Sequence, residues 1–248
     1  TSVMKENTKV LYIETPSNPL MLITDLEMVA RIAKERGIIT MIDNTFASPV
    51  NQNPADFGMD IIIHSATKYM GGHSDICAGA VAASEKHIEQ IWNLAKNIGG
   101  SLSDYTVWLL ERSIKLRVKA QNRNAKRLAK WLDKHPLVER VYYPGLKSHP
   151  DYKIAKKQMR GFTGMLSFEL KPSVDAEAFM KSLKMIKQSM SLAGVESSIL
   201  SAAKTSHALL SPEERKRQGI ADGLVRFSVG IEEKEDIIAD LEQAFEAT

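Results

Sequence analysis

Lys68 stands in the run His64-Ser65-Ala66-Thr67-Lys68-Tyr69, four residues past the apolar stretch Asp60 to His64 and just before Gly71-Gly72-His73-Ser74-Asp75. A lysine held in a cleft gives up its proton more readily than one in water, and its free amine attacks an aldehyde. The hydroxyls of Ser65 and Thr67, with nearby backbone N–H groups, suit a phosphate. The other reading of a lysine after a strand is a solvated surface charge. Asp43 closes the apolar run from Ile38 to Ile42, where a half-buried carboxylate wants a cationic partner such as a protonated pyridine nitrogen. It also suits the cap of the Asn44-Thr45-Phe46 turn. Arg226 alternates with Val225, Phe227 and Val229, so it leaves the apolar face of its strand and can grip a carboxylate with two parallel hydrogen bonds, or pair with a neighbouring acid. His64, His73 and Asp75 raise a metal-dependent hydrolase as an alternative, although their spacing matches no common zinc or calcium pattern.

Such groups need rigid elements behind them. Lys9 to Glu14 reads as a strand that the Thr15-Pro16-Ser17-Asn18-Pro19 turn must end. Thr24 or Asp25 then caps a helix running to Arg36, with Leu26, Val29, Ala30 and Ala33 on one face and Gly37 as its stop. Ile38 to Asp43 and Asp60 to His64 are further apolar strands, and strand–helix–strand with short connections is the parallel βαβ unit. In such sheets ligands sit beyond the carboxyl ends of the strands, where Asn18, Asp43 and the Lys68 run all fall. Ala78 to Ala83 is another strand of small residues. A helical pattern without proline extends from Asp104 through Leu132 and predicts one long helix linking two domains. Beyond it, strands are expected over Val138 to Tyr142, Met165 to Leu170, Lys187 to Leu192 and Leu224 to Val229, with helices over Ala176 to Leu183 and Lys234 to Phe245. These elements predict an α/β large domain over residues 1–117 and a smaller α+β domain over 118–248.

The chain has 248 residues, 44% of them apolar, and 33 basic against 30 acidic side chains without a basic block. Neither a nucleic-acid nor a membrane partner is expected from that balance. The single cysteine, Cys77, excludes an internal disulfide framework, and a cytoplasmic setting is expected.

Several ordered motifs resemble the Cys/Met-metabolism family of enzymes dependent on pyridoxal phosphate (PLP), which includes the cystathionine γ-synthases, γ-lyases and β-lyases and the methionine γ-lyases. They are Glu14-Thr15-Pro16-Ser17-Asn18-Pro19, Asp43-Asn44-Thr45-Phe46, His64 to Tyr69 with Gly72-His73-Ser74-Asp75, Tyr143-Pro144-Gly145-Leu146, Ser191 to Ser197, and Leu224 to Gly230. The resemblance implies the type I fold of PLP-dependent transferases, mostly a parallel sheet in the large domain. It implies that Lys68 holds the cofactor aldehyde as a Schiff base and shuttles protons, that Asp43 pairs with the ring nitrogen, and that Ser65 and Thr67 hold the phosphate. Asn18, Ser191 and Arg226 would bind the substrate carboxylate, with Asn18 also steadying the ring side. The implied activity is γ-elimination or γ-replacement on a sulfur amino acid, with γ-synthase or β-lyase chemistry as the alternative. The implied assembly is a homotetramer sharing active sites across a dimer interface.

Gly71 and the stretch Ser201 to His207 depart from the family's usual residues and bear on substrate choice. The family's N-terminal arm, phosphate-binding Gly-Met turn and ring-stacking tyrosine have no counterpart ahead of Thr1. The missing segment is therefore expected as a separate chain, and a non-catalytic remnant of the fold is the rival expectation.

Overall fold

Val10–Glu14 (β1), Ile39–Asp43 (β2) and Ile61–Ser65 (β3) run parallel, and Gly79–Ala83 (β4) completes the sheet antiparallel to β3. The computed structural model describes residues 3–205 and 208–248. Leu26–Arg36 (α1) crosses from β1 to β2. It starts where the Asp25 carboxylate accepts a hydrogen bond from Met28 N at 3.1 Å, and it stops at Gly37, whose φ of 63° suits a residue without Cβ. Leu26 and Val29 of α1 pack on Ile42 and Ile62, with Leu11 and Ile13 at the rim. In this register the alternate residues Val10, Tyr12 and Ile39 face away from α1, and they are exposed, Tyr12 by 58%. One sheet face is covered and the other is open.

Ser48–Asn51 (α2) follows β2, and Glu85–Ile98 (α3) follows β4. The single long helix expected from Asp104 is two helices, Asp104–Leu110 (α4) and Ile114–Leu132 (α5). Between them Ser113 has φ 48°. No proline or glycine marks this break, which is held by tertiary contacts. Arg112 Nε donates to Leu109 O at 2.9 Å, its Nη2 donates to both Asp75 carboxylate oxygens, and Arg112 O accepts from Arg117 Nη2 at 3.0 Å.

The second sheet is ordered β5-β6-β9-β8-β7: Val138–Tyr142 (β5), Met165–Leu170 (β6), Lys187–Gln188 (β7), Ser198–Ser201 (β8) and Leu224–Ser228 (β9). The strand expected over Lys187 to Leu192 shrinks to two residues, and β8 takes the place beside β9. Tyr152–Gln158 (α6), Ala176–Ser182 (α7), Pro212–Arg217 (α8) and Lys234–Glu246 (α9) connect and flank these strands. Leu128 and Leu132 of α5 join Phe168, Phe179, Phe227, Leu241 and Phe245 in one core. Buried Asp240 of α9 accepts from Lys184, Met185 and Ile186 N at 2.8 to 3.0 Å, which fixes the approach to β7. Among the described residues no helix is long and apolar enough to cross a membrane.

Candidate active site

The chain turns sharply after β3. Lys68 N donates to Ser65 O, Gly71 N to Ala66 O and Gly72 N to Lys68 O, at 2.7 to 3.0 Å, so residues 65–72 close as hydrogen-bonded turns. Two neighbours clamp them. Tyr69 is buried and its hydroxyl meets Thr163 Oγ1 at 3.2 Å, while Thr163 Oγ1 donates to Phe46 O. The buried Arg117 guanidinium donates to Tyr69 O at 3.1 Å and Met70 O at 3.0 Å. A Cβ on Gly72 would lie 1.7 Å from Arg117 Nη1, so glycine is required for that approach, and its φ of 69° agrees.

Lys68 is partly buried on this turn. Burial lowers its pKa from the ordinary 10.5, and the positive charge of Arg226 lowers it further, against an opposing effect of Cys77. It is therefore not a fully solvated surface lysine. The free-amine fraction rises as pH passes the folded value, so reaction with an added aldehyde should inflect below pH 10.5. Arg226→Gln should move the inflection upward. Borohydride-trapped adduct measured against pH checks both, and an unshifted inflection in the variant would contradict the assigned cause.

Arg226 lies on β9 and is 4% exposed. Among the described residues no carboxylate lies within salt-bridge distance of it, so the ion-pair reading does not hold there. Its Nη2 donates to Met190 O at 2.9 Å, and burial lowers its pKa to about 10. Ser191 follows Met190, with its N–H on Ser189 Oγ and its carbonyl accepting from Ser198 Oγ, each at 3.1 Å. A buried guanidinium without an acid is costly, and an incoming carboxylate would offset that cost.

Asp43 fills the capping role that its position allowed, since Oδ1 accepts from Thr45 N at 2.9 Å. Among the described residues its Oδ2 makes no hydrogen bond, so one oxygen remains for a cationic partner. Thr45 Oγ1 accepts from Ser65 N at 2.8 Å and ties the ends of β2 and β3 together. Thr67 is more committed than its hydroxyl suggested, because Oγ1 accepts from Ala78 N at 2.9 Å and donates to Ala78 O at 3.2 Å. To hold a phosphate it would turn its O–H from Ala78 O while keeping the accepted bond.

Glu14, which sequence reading passed over, sits opposite Asp43 in the β1–β2 register. Burial and then the charge of Asp43 raise its pKa, and its Oε1 accepts from Asn18 N at 3.2 Å. Only strand pairing shows that proximity. Among the described residues Asn18 Oδ1 is buried without a hydrogen-bond partner, which marks Asn18 as a residue whose side chain still lacks an interaction.

His73 Nδ1 is occupied by Gly71 O at 2.8 Å and Asp75 by Arg112. Among the described residues no three acidic, histidine or cysteine side chains are grouped to hold a metal ion. A groove of about 730 Å³ lined by Arg140, Tyr142, Glu169 and Arg215 contains none of the site residues. Ser206 and His207, part of the departing stretch, lie outside the described residues.

A family model described as Cys/Met metabolism PLP-dependent enzyme matches residues 1–246. Cystathionine gamma-lyase of Bacillus subtilis (strain 168) is 45% identical, over 98% of this chain and 65% of its own length. Cystathionine beta-lyase of Lactococcus lactis subsp. cremoris (strain MG1363) is likewise 45% identical, over 99% of this chain and 66% of its own. The crystal structure of cystathionine gamma-lyase from Lactobacillus plantarum complexed with L-serine is similar with a TM-score of 0.95 at 42% identity, covering 99% of this chain and 66% of that one. The chain thus spans about 65% of the length of the curated relatives it matches.

Proposed function

Because the chain belongs to the Cys/Met metabolism PLP-dependent enzymes, we propose that it carries the lysine-bearing part of an enzyme performing γ-elimination or γ-replacement on a sulfur amino acid. The observation that carries this reading is the Lys68 amine under the influence of Arg226, a buried cation without an acid partner among the described residues. The residues present fit the cofactor: an amine of lowered basicity, a carboxylate with a free oxygen at Asp43, and an orphaned Asn18 Oδ1.

PLP, when bound, supplies an aldehyde that condenses with amines and a ring that accepts the electrons released at the substrate's α carbon. Lys68 Nζ would hold that aldehyde and, once displaced by the substrate amine, take the α proton and deliver it elsewhere. Asp43 would keep the ring nitrogen protonated. Ser65 and Thr67 would hold the phosphate, and Arg226, Ser191 and Asn18 would orient the substrate carboxylate.

A second reading, β-lyase chemistry, is favoured by the equal 45% identity to a beta-lyase. Product analysis with cystathionine separates the two. Cleavage at the γ carbon should release cysteine, a four-carbon keto acid and ammonia, whereas β cleavage releases homocysteine, a three-carbon keto acid and ammonia. The second set of products would overturn the γ assignment, and neither set, together with no cystathionine formed from an O-acylhomoserine and cysteine, would overturn both.

The same reading divides the chain near residue 117, within α5, and has the protein work in the cytoplasm as a homotetramer with active sites shared between subunits. The open sheet face bearing Val10, Tyr12 and Ile39 supports contact with another subunit, because a parallel sheet is normally covered on both faces. Native mass spectrometry reporting only a monomer would contradict the assembly.

A further inference from the structure

Contrary to the expectation of no basic block, the helix α5 carries seven lysines and arginines and no aspartate or glutamate between Ile114 and Leu132, although the whole chain holds 33 basic and 30 acidic residues. A solvated helix face usually mixes the signs, because like charges three and four residues apart repel. Here Arg123, Lys126, Arg127 and Lys130 recur at such intervals along the exposed face, while Gln121, Asn124, Ala125 and Leu128 face inward. The segregation opposes helix stability. Arg160 faces them across a groove of about 510 Å³ that Phe162 also lines, and among the described residues no acidic one lines it. The nearby carboxylates lie outside it. Asp56 meets Arg160 at 3.4 Å with both side chains exposed, and Glu235, already paired with Lys234, is felt by Arg127.

We propose that this groove, formed by the outer face of α5 and the loop at Arg160, binds a small anion carrying several phosphate groups. Arginine forks suit phosphate oxygens, lysines add point charge, and close-set cations strengthen one another's pull on a multivalent anion. The stripe from Arg123 to Lys130 is about 10 Å long at 1.5 Å per residue, only about three nucleotides of single strand. Acidic Asp56 and Glu235 close to it shorten the basic track further, which favours a compact anion over a nucleic acid.

Inorganic tripolyphosphate titrated calorimetrically into the chain tests this. Saturable binding at one site is expected, weakening by about tenfold or more as salt rises from about 50 to about 200 mM. The exposed double variant Lys126→Glu/Lys130→Glu should lose at least about tenfold in affinity while remaining folded. Lys86→Glu/Lys96→Glu on α3, with the same change in net charge, should bind as the parent does. Thr67→Ala should also leave binding intact, which separates this groove from the proposed cofactor phosphate site. Equal weakening by the two charge-reversed variants, loss of binding in Thr67→Ala, or tighter binding of a short single-stranded DNA than of tripolyphosphate would each overturn the proposal.

Discussion

Replacing Lys68 with alanine should yield a folded chain that retains no PLP under borohydride and, in the complete enzyme, turns over substrate at least about 1,000-fold more slowly. The fold should survive, because among the described residues the Lys68 side chain makes no hydrogen bond, and the backbone bonds of its turn are independent of it. Turnover should not survive. The proposed chemistry asks one amine both to hold the cofactor and to move the α proton, and no neighbouring group is placed to do both. Peptide mapping after borohydride should find the adduct on Lys68 in the parent chain and nowhere in the variant. An adduct of equal yield on another lysine would sink the assignment. It would also leave the lowered pKa of Lys68 as a consequence of burial and the Arg226 charge without a part in the chemistry.

Asp43→Asn should separate holding the cofactor from using it. The asparagine side-chain oxygen can still accept from Thr45 N, so the turn after β2 should keep its shape. The negative charge is lost. Breaking a buried charge pair costs about 3 to 5 kcal/mol, and if that cost falls on the transition state, turnover drops by about 100-fold to 1,000-fold or more. Cofactor should still be trapped on Lys68. Glu14 gives a reading that does not depend on turnover, because Asp43 contributes to raising its pKa and the neutral variant should let Glu14 titrate lower. Parent-like turnover, with Glu14 shifted as expected, would show that the charge is present but unused. Both measurements unchanged would place Asp43 in a capping role only.

The elements carrying these residues were largely readable in advance where local chemistry was strong. The Asp25 cap, the Gly37 stop and the spacing of Leu26, Val29 and Ala33 specify α1, and continuous apolar runs specify β1, β2 and β3. Legibility failed where distant partners decide the outcome. The break at Ser113 depends on Arg112 reaching Asp75 and Arg117 reaching back to Arg112, neither of which leaves a periodic mark. β8 is a short segment, Ser-Ile-Leu-Ser, whose strand character comes from pairing with β9.

The sequence by itself determined which residues could act: the Lys68 turn, Asp43 at a strand end, and Arg226 on the polar side of its strand. Residue type and alternation are local properties of the chain. Tertiary structure alone decided their electrostatic state. It brought Arg226 close enough to influence Lys68 and kept carboxylates away from Arg226 among the described residues. It set Glu14 beside Asp43 and, among the described residues, left Asn18 Oδ1 without a partner. Burial and charge proximity depend on what packs across the fold, and sequence spacing does not encode them.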